Sequence, residues 1–405
     1  MFIFEAGYQL IYAVTRKLFI LLHINQNMKQ LLQLAAFCCI FYPSVLSAQK
    51  NGVSLIDKKA TAATKALYRH LNDLSGKHIL FGHQHATEYG HGWQGDEDRS
   101  DVKSVTGSHP AVIGADFSGM ANSNLPDSVI EKTKQSLQKS IAATYNRGGI
   151  TTVAWHFSNP MSAGGFYWKD TVSIPAVRYL IAGGSGHEKY KSILKIIADF
   201  AKTVKGNDGQ LVPMIFRPYH EFDGDWFWWG KSHCSKEEFI SLWQFTVAYL
   251  RDSLQVHNFI YAFSPDCKFN DEATYLDRYP GNEWVDILGM DDYADFGRDN
   301  KYDTAAGIDK LKIVSAYAQR NHKLAAFTET GLESIPDTNW WTAVLLKALK
   351  TTSLKLCYML VWRNDVRSPT HFYAPFPGQA SVPDFMLFYN DPFTWFENDL
   401  PKMYK

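Results

Sequence analysis

From about Lys77 onward, short apolar runs rich in β-branched and aromatic residues alternate with longer amphipathic stretches. The runs predict strands over Ile79–Gly82, Ala111–Ala115, Thr151–Trp155, Val212–Arg217, Phe259–Phe263, Val285–Met290, Leu324–Thr328 and Leu356–Trp362. The stretches predict helices such as Ser128–Tyr145, His187–Val204, Lys236–Leu254, Thr304–Arg320 and Trp340–Leu349. Continuously apolar strands separated by helices indicate a parallel sheet buried on both faces, and eight such units predict closure into a (β/α)8 TIM barrel, an α/β fold. A doubly wound open sheet is the alternative architecture. No G-x-G-x-x-G turn follows the first strand, which counts against it.

The first fifty residues break this pattern. Met28-Lys29 leads into an apolar run from Leu31 to Val45, followed by Leu46-Ser47-Ala48-Gln49. A short basic start, an apolar stretch too short for a membrane span, and a small residue at Ala48 predict a secretory signal peptide. Residues 1–48 are therefore expected to be leader, with Met28 as the start of translation, and residues 49–405 a single catalytic domain. The expected location is outside the cytoplasm, periplasmic or secreted. Cys38 and Cys39 raise the alternative of a lipid-anchored form, but Phe37 stands where a small residue normally precedes a lipidated cysteine. Cys234, Cys267 and Cys357 remain, an odd number at wide spacing that predicts neither a disulfide framework nor a zinc site.

Composition narrows the partners. With 41 Lys plus Arg against 41 Asp plus Glu, the chain has no net charge to attract nucleic acid or an anionic membrane surface. A neutral polymer suits it, a monomer is expected, and nothing in the pattern marks a second domain. Aromatic residues make up 15% of the chain, enough to supply stacking surfaces as well as a core.

In a barrel of this kind the active site lies at the carboxyl ends of the strands, and the unusual residues cluster there. The first strand ends in Phe81-Gly82-His83-Gln84-His85, the third in Trp155-His156, and the fourth in Arg217-Pro218-Tyr219-His220-Glu221. The sixth ends in Asp291-Asp292-Tyr293, the seventh in Glu329, the eighth in Trp362-Arg363-Asn364. Cleaving a glycosidic bond with retention takes one carboxyl to protonate the leaving oxygen and another to attack the anomeric carbon. Glu221 and Glu329 follow strands nearly opposite each other in the ring, so both can face one cleft. The plainer reading is that each only pairs with Arg217 or Arg363. After Glu221 come Trp226-Phe227-Trp228-Trp229, aromatics in a loop beside acids, which fits a platform for the apolar face of a sugar. Trp226 is expected at the ligand, whereas Trp228 and Trp229 fit core packing equally well.

These segments, with Phe327-Thr328-Glu329-Thr330-Gly331 and His371-Phe372-Tyr373-Ala374-Pro375, resemble glycoside hydrolase family 26 in the same order, from about Lys77 to the C-terminus. The resemblance implies a retaining β-1,4-mannanase without metal or cofactor, with Glu221 as acid/base and Glu329 as nucleophile. It implies that His220 lies near the nucleophile and the scissile sugar, that Tyr293 orients Glu329, and that His83 and His156 line the site. It further implies that Trp226 and Trp362 flank the cleaved sugar and that Arg363 reaches the second sugar on the non-reducing side. Trp168, in a loop of variable length, aligns with an aromatic on the leaving-group side. Within the family, release of mannobiose from chain ends and action on β-1,3-xylan or mixed-linkage β-glucan are the alternatives to internal cutting of mannan, glucomannan or galactomannan.

Two readings lie outside this chemistry. His83-Gln84-His85 mimics an H-x-H metal pair, as in metal-dependent barrel hydrolases, but the fifth and sixth strands end in Ser264-Pro265 and Asp291-Asp292 and add no histidine. A carbohydrate-binding protein without activity would keep the aromatics and dispense with the two glutamates.

Overall fold

A computed structural model describes residues 53–122, 124–170 and 174–405. The expected leader, including Met28, Ala48, Cys38 and Cys39, lies outside the described residues. Eight parallel strands form the centre: β1 (Ile79–Gln84), β2 (Val112–Asp116), β3 (Ile150–Ala154), β4 (Met214–Arg217), β5 (Phe259–Phe263), β6 (Ile287–Asp291), β7 (Leu324–Thr330) and β8 (Tyr358–Val361). Each pairs with its neighbour in sequence, and β8 pairs back onto β1 with Leu80 opposite Tyr358, so the sheet closes into the (β/α)8 barrel. A short strand, Thr394–Trp395, adds to the start of β1.

The strands begin and end where backbone chemistry dictates. β4 starts at Met214 rather than Val212 because Pro213 has no N–H to give to a ladder, and the Val212 amide already donates to Val204 O. The predicted helix Lys236–Leu254 is α-helical over Lys236–Ala248, opened by a Ser235–Glu238 capping box, and widens into a π turn over Tyr249–Ser253.

Alternation along the strands sorts side chains into two cores. Ile79 and Phe81 of β1, Met214 and Phe216 of β4, and Ala325 and Phe327 of β7 join the large cluster between strands and helices. Leu80, Ile215, Ile260, Ile287, Leu324 and Leu360 fill the barrel interior instead. That interior is closed at its amino-terminal end by the helix Ala62–Leu74, capped by Thr61, whose Leu67 and Leu71 belong to the same cluster and whose Tyr68 hydroxyl donates to Asp286 O at 2.9 Å. No helix among the described residues is long and apolar enough to cross a membrane, and Cys234, Cys267 and Cys357 are buried free thiols.

Candidate active site

Continuing the inward phase of each strand by two residues leads out of the apolar interior and into the cleft. On β4, Ile215 is followed by Arg217; on β6, Ile287 and Gly289 are followed by Asp291; on β8, Leu360 is followed by Trp362. On β7 the same count would send Thr328 inward and Glu329 towards the helices. It does not, because β7 carries a bulge. Met290 pairs with Phe327 but Asp291 pairs with Glu329, so one extra residue, Thr328, is accommodated and Glu329 turns into the cleft. Thr328 holds the bulge, its hydroxyl placed against Met290 O at 2.9 Å and Asp291 Oδ1 at 2.7 Å.

Glu329 is buried and engaged at both oxygens. Tyr293 donates to Oε1 at 2.7 Å, and a terminal nitrogen of Arg217 donates to Oε2. The other terminal nitrogen of Arg217 reaches Asp291 Oδ2 at 2.5 Å and Ser264 Oγ at 3.1 Å. Arg217 thus sits fully buried between two carboxylates, which raise its pKa despite the opposing effect of burial.

Among the described residues no cation forms an ion pair with Glu221. Its Oε2 accepts a hydrogen bond from Trp226 Nε1 at 2.8 Å. Burial, followed by the negative charges of Glu329, Asp291 and Asp266, pushes its carboxyl well above the usual range, only partly offset by Arg217. The turn that presents it is strained: Tyr219 and Glu221 both take left-handed backbone conformations, with φ of 50° and 53°. Such residues cost about 1–3 kcal/mol each and persist only where the surroundings over-determine them. Here the Tyr219 hydroxyl meets Tyr190 and Thr246, Trp229 Nε1 donates to His220 O at 2.8 Å, and the Glu221 amide donates to Ser264 O at 2.9 Å.

His220, between the two strained residues, is buried with neither ring nitrogen bonded among the described residues. Burial, then the charges of Arg217 and His156, holds its pKa well below the ordinary value, so the ring is neutral. His156 stands edge-on to it at 4.7 Å and is tied through Nδ1 to Asp116, while Trp362 tilts over His156 at 5.7 Å. Arg363 is half-buried and pairs with Asp365 at 2.6 Å.

The structure therefore brings together Glu221, Glu329, His156, His220, Trp226, Tyr293, Trp362 and Arg363. One expected site residue, His83, is placed differently. His83 continues the phase of Ile79 and Phe81, so it faces the helices; it is buried there, opposite Val361, with a pKa lowered to about 4 chiefly by burial. Trp168 lies against His233, the rings nearly parallel at 3.7 Å, and its amide donates to Trp226 O. Its neighbour Tyr167 is the more exposed ring of that loop, at 39%, and stacks on Phe227 at 5.6 Å, one ring away from both His156 and His220. Trp228 and Trp229 are fully buried and belong to the core. Sequence reasoning passed over Tyr167 and Asp116; the latter shows only as an acid ending an apolar strand at an inward position.

Comparison with known proteins gives a consistent pattern. The sequence model of glycosyl hydrolase family 26 matches residues 56–365. A mannan endo-1,4-β-mannosidase of Bifidobacterium adolescentis is 34% identical over 390 residues, covering 89% of this chain and 38% of its own length. One of Bacillus subtilis is 26% identical, covering 78% of this chain and 84% of its own. Among solved structures, GH26C of Muricauda sp. superposes with a TM-score of 0.81 at 37% identity, over 87% of this chain and 96% of that one. A family 26 β-mannanase of Bacteroides ovatus gives 0.78 at 38% identity, over 85% and 98%. The chain thus spans well under half of the Bifidobacterium relative it matches.

Proposed function

This chain belongs to glycosyl hydrolase family 26, and on that premise we propose that it is a retaining, endo-acting β-1,4-mannanase working as a monomer on mannan, glucomannan or galactomannan. The observation that carries the reading is the unequal surroundings of two carboxyls in one cleft. Glu221 has a raised pKa and keeps its proton for the glycosidic oxygen; Glu329 is aimed by Arg217 and Tyr293 and attacks the anomeric carbon. Groups whose environments push them apart in this way take the acid and nucleophile roles.

In the first step Glu329 bonds to the anomeric carbon as Glu221 transfers its proton to the departing sugar. In the second, Glu221 takes a proton from water, which displaces Glu329 and restores the configuration. The neutral His220 ring offers one donor and one acceptor to the hydroxyls of the scissile sugar. His156, fixed by Asp116, lines the same sugar, with Trp362 and Trp226 against its faces. Likeness to relatives that are β-1,4-mannanases supports mannan over other β-glycans. Proton NMR during hydrolysis of mannopentaose tests the mechanism: β-anomers should appear first, and α-anomers first would overturn it. Glu329→Ala should abolish turnover, because no glycosyl-enzyme can form; substantial residual hydrolysis of mannan would remove Glu329 from its role.

A further inference from the structure

Beside the cleft lies a cavity of about 430 Å³ that none of these roles uses. It falls within the roughly 300–1,000 Å³ typical of small-molecule sites. The loops after β6, β7 and β8 enclose it, with Arg298, Asn300, Glu333, Thr370 and Tyr373 among its walls. Tyr293 is a wall of the cavity and at the same time the donor to Glu329 Oε1. The cavity therefore shares a wall with the group that orients Glu329.

Its lining is chemically suited to a sugar. The Arg298 guanidinium lies over the Tyr293 ring at 4.6 Å, and no carboxylate among the described residues forms an ion pair with it. Glu333 faces the same space, with Oε1 taken by His371 at 2.7 Å. Planar charged groups beside two tyrosine rings provide donors and acceptors for hydroxyls and flat faces for the apolar side of a pyranose. Both rims carry left-handed non-glycine residues, Asp299 and Asn300 on one, Ser334 and Ile335 on the other.

The position selects what enters. On the mannanase reading a linear chain runs past Trp226, Trp362 and Arg363, none of which lines the cavity, whereas Tyr293, the donor to Glu329, does. In a β-1,4 backbone the linkages use O1 and O4, so a group that leaves the line sideways is carried on another hydroxyl. We propose that this cavity receives a single hexosyl branch, a galactosyl unit, attached to the backbone sugar that Glu329 attacks. The inference rests on the mannanase reading above.

The test compares the wild type with Arg298→Ala and with Thr370→Trp, which fills the cavity from a different wall, on linear mannan and on galactomannan. Both variants should keep their kcat/KM on linear mannan, which also shows that they fold. On galactomannan kcat/KM should fall roughly five- to tenfold, the effect of losing a hydrogen bond from a charged donor. Wild-type products should include oligosaccharides whose new reducing-end mannose bears galactose, and the variants should lose them. Equal impairment on both substrates, no impairment on galactomannan, or wild-type products that never carry galactose at the new reducing end would each overturn the proposal. A wild type inactive on linear mannan would instead overturn the mannanase reading, and the branch proposal with it.

Discussion

Arg217 at the end of β4 donates to Glu329 on β7, so the strand leading to one carboxyl of the site holds the other in place. The same guanidinium also binds Asp291 on β6, and a lysine ammonium has neither the planar fork nor the reach to satisfy both. Arg217→Lys should lower kcat by at least tenfold with a smaller change in KM. Arg217→Met should in addition destabilise the fold by about 3–5 kcal/mol, since it leaves two buried carboxylates without a cation. Steady-state kinetics on mannan and urea denaturation measure the two effects separately. Unchanged kcat in the lysine variant would show that Arg217 serves packing alone.

Glu221→Ala should cripple cleavage of polysaccharide, whose leaving sugar needs a proton, and spare the first step on aryl mannosides with good leaving groups. A burst followed by slow turnover is expected, with rescue by azide as an external nucleophile. Equal loss on both substrate types without rescue would argue against the acid/base role.

The raised pKa of Glu221 has a thermodynamic sign. The folded state binds this proton more tightly than the unfolded chain does, so stability falls as pH rises from the ordinary glutamate value through the elevated one. Glu221→Gln cannot ionise and escapes that loss. Its melting temperature should match the wild type at low pH and exceed it at neutral and alkaline pH. A gap that stays constant with pH would mean Glu221 is not protonated in the folded protein.

Arg363 is half-buried beside Trp362 and pairs with Asp365 at 2.6 Å. Arg363→Ala should lower kcat/KM on mannan by a transition-state loss of about 1–3 kcal/mol if the guanidinium holds the second sugar on the non-reducing side. Early products from mannotetraose and mannopentaose should shift away from mannobiose. Identical product patterns and unchanged kcat/KM would confine Arg363 to its ion pair.

Much of the barrel could be read from sequence because each strand is buried on both faces and therefore continuously apolar. The helix Ala62–Leu74 escaped notice although Ala63, Leu67 and Leu71 mark one face of it, because it precedes β1 and no strand announces it. In the site, Glu221 and Glu329 stood out as acids directly after apolar runs. What sequence could not give was direction. His83 looks like a site residue by its place at a strand end, yet strand alternation turns it towards the helices. Trp168 keeps one face against His233 and stays half-buried, while Tyr167 beside it is the more exposed ring. Tryptophans 228 and 229 follow Trp226 closely, and three consecutive rings after it cannot all reach one cleft.

The bulge at Thr328 makes the direction of Glu329 a matter of counting. Strand side chains alternate, so Glu329 faces the cleft only because Thr328 is taken up as an extra residue; an unbulged strand of the same sequence would point the nucleophile into the packing between strand and helix. Substitution at Thr328 leaves the count intact; Thr328→Ser even keeps the hydroxyl. The bulge, more than the identity of the residue in it, sets the direction of the nucleophile, and a family 26 barrel redesigned strand by strand would have to transplant this parity along with the glutamate.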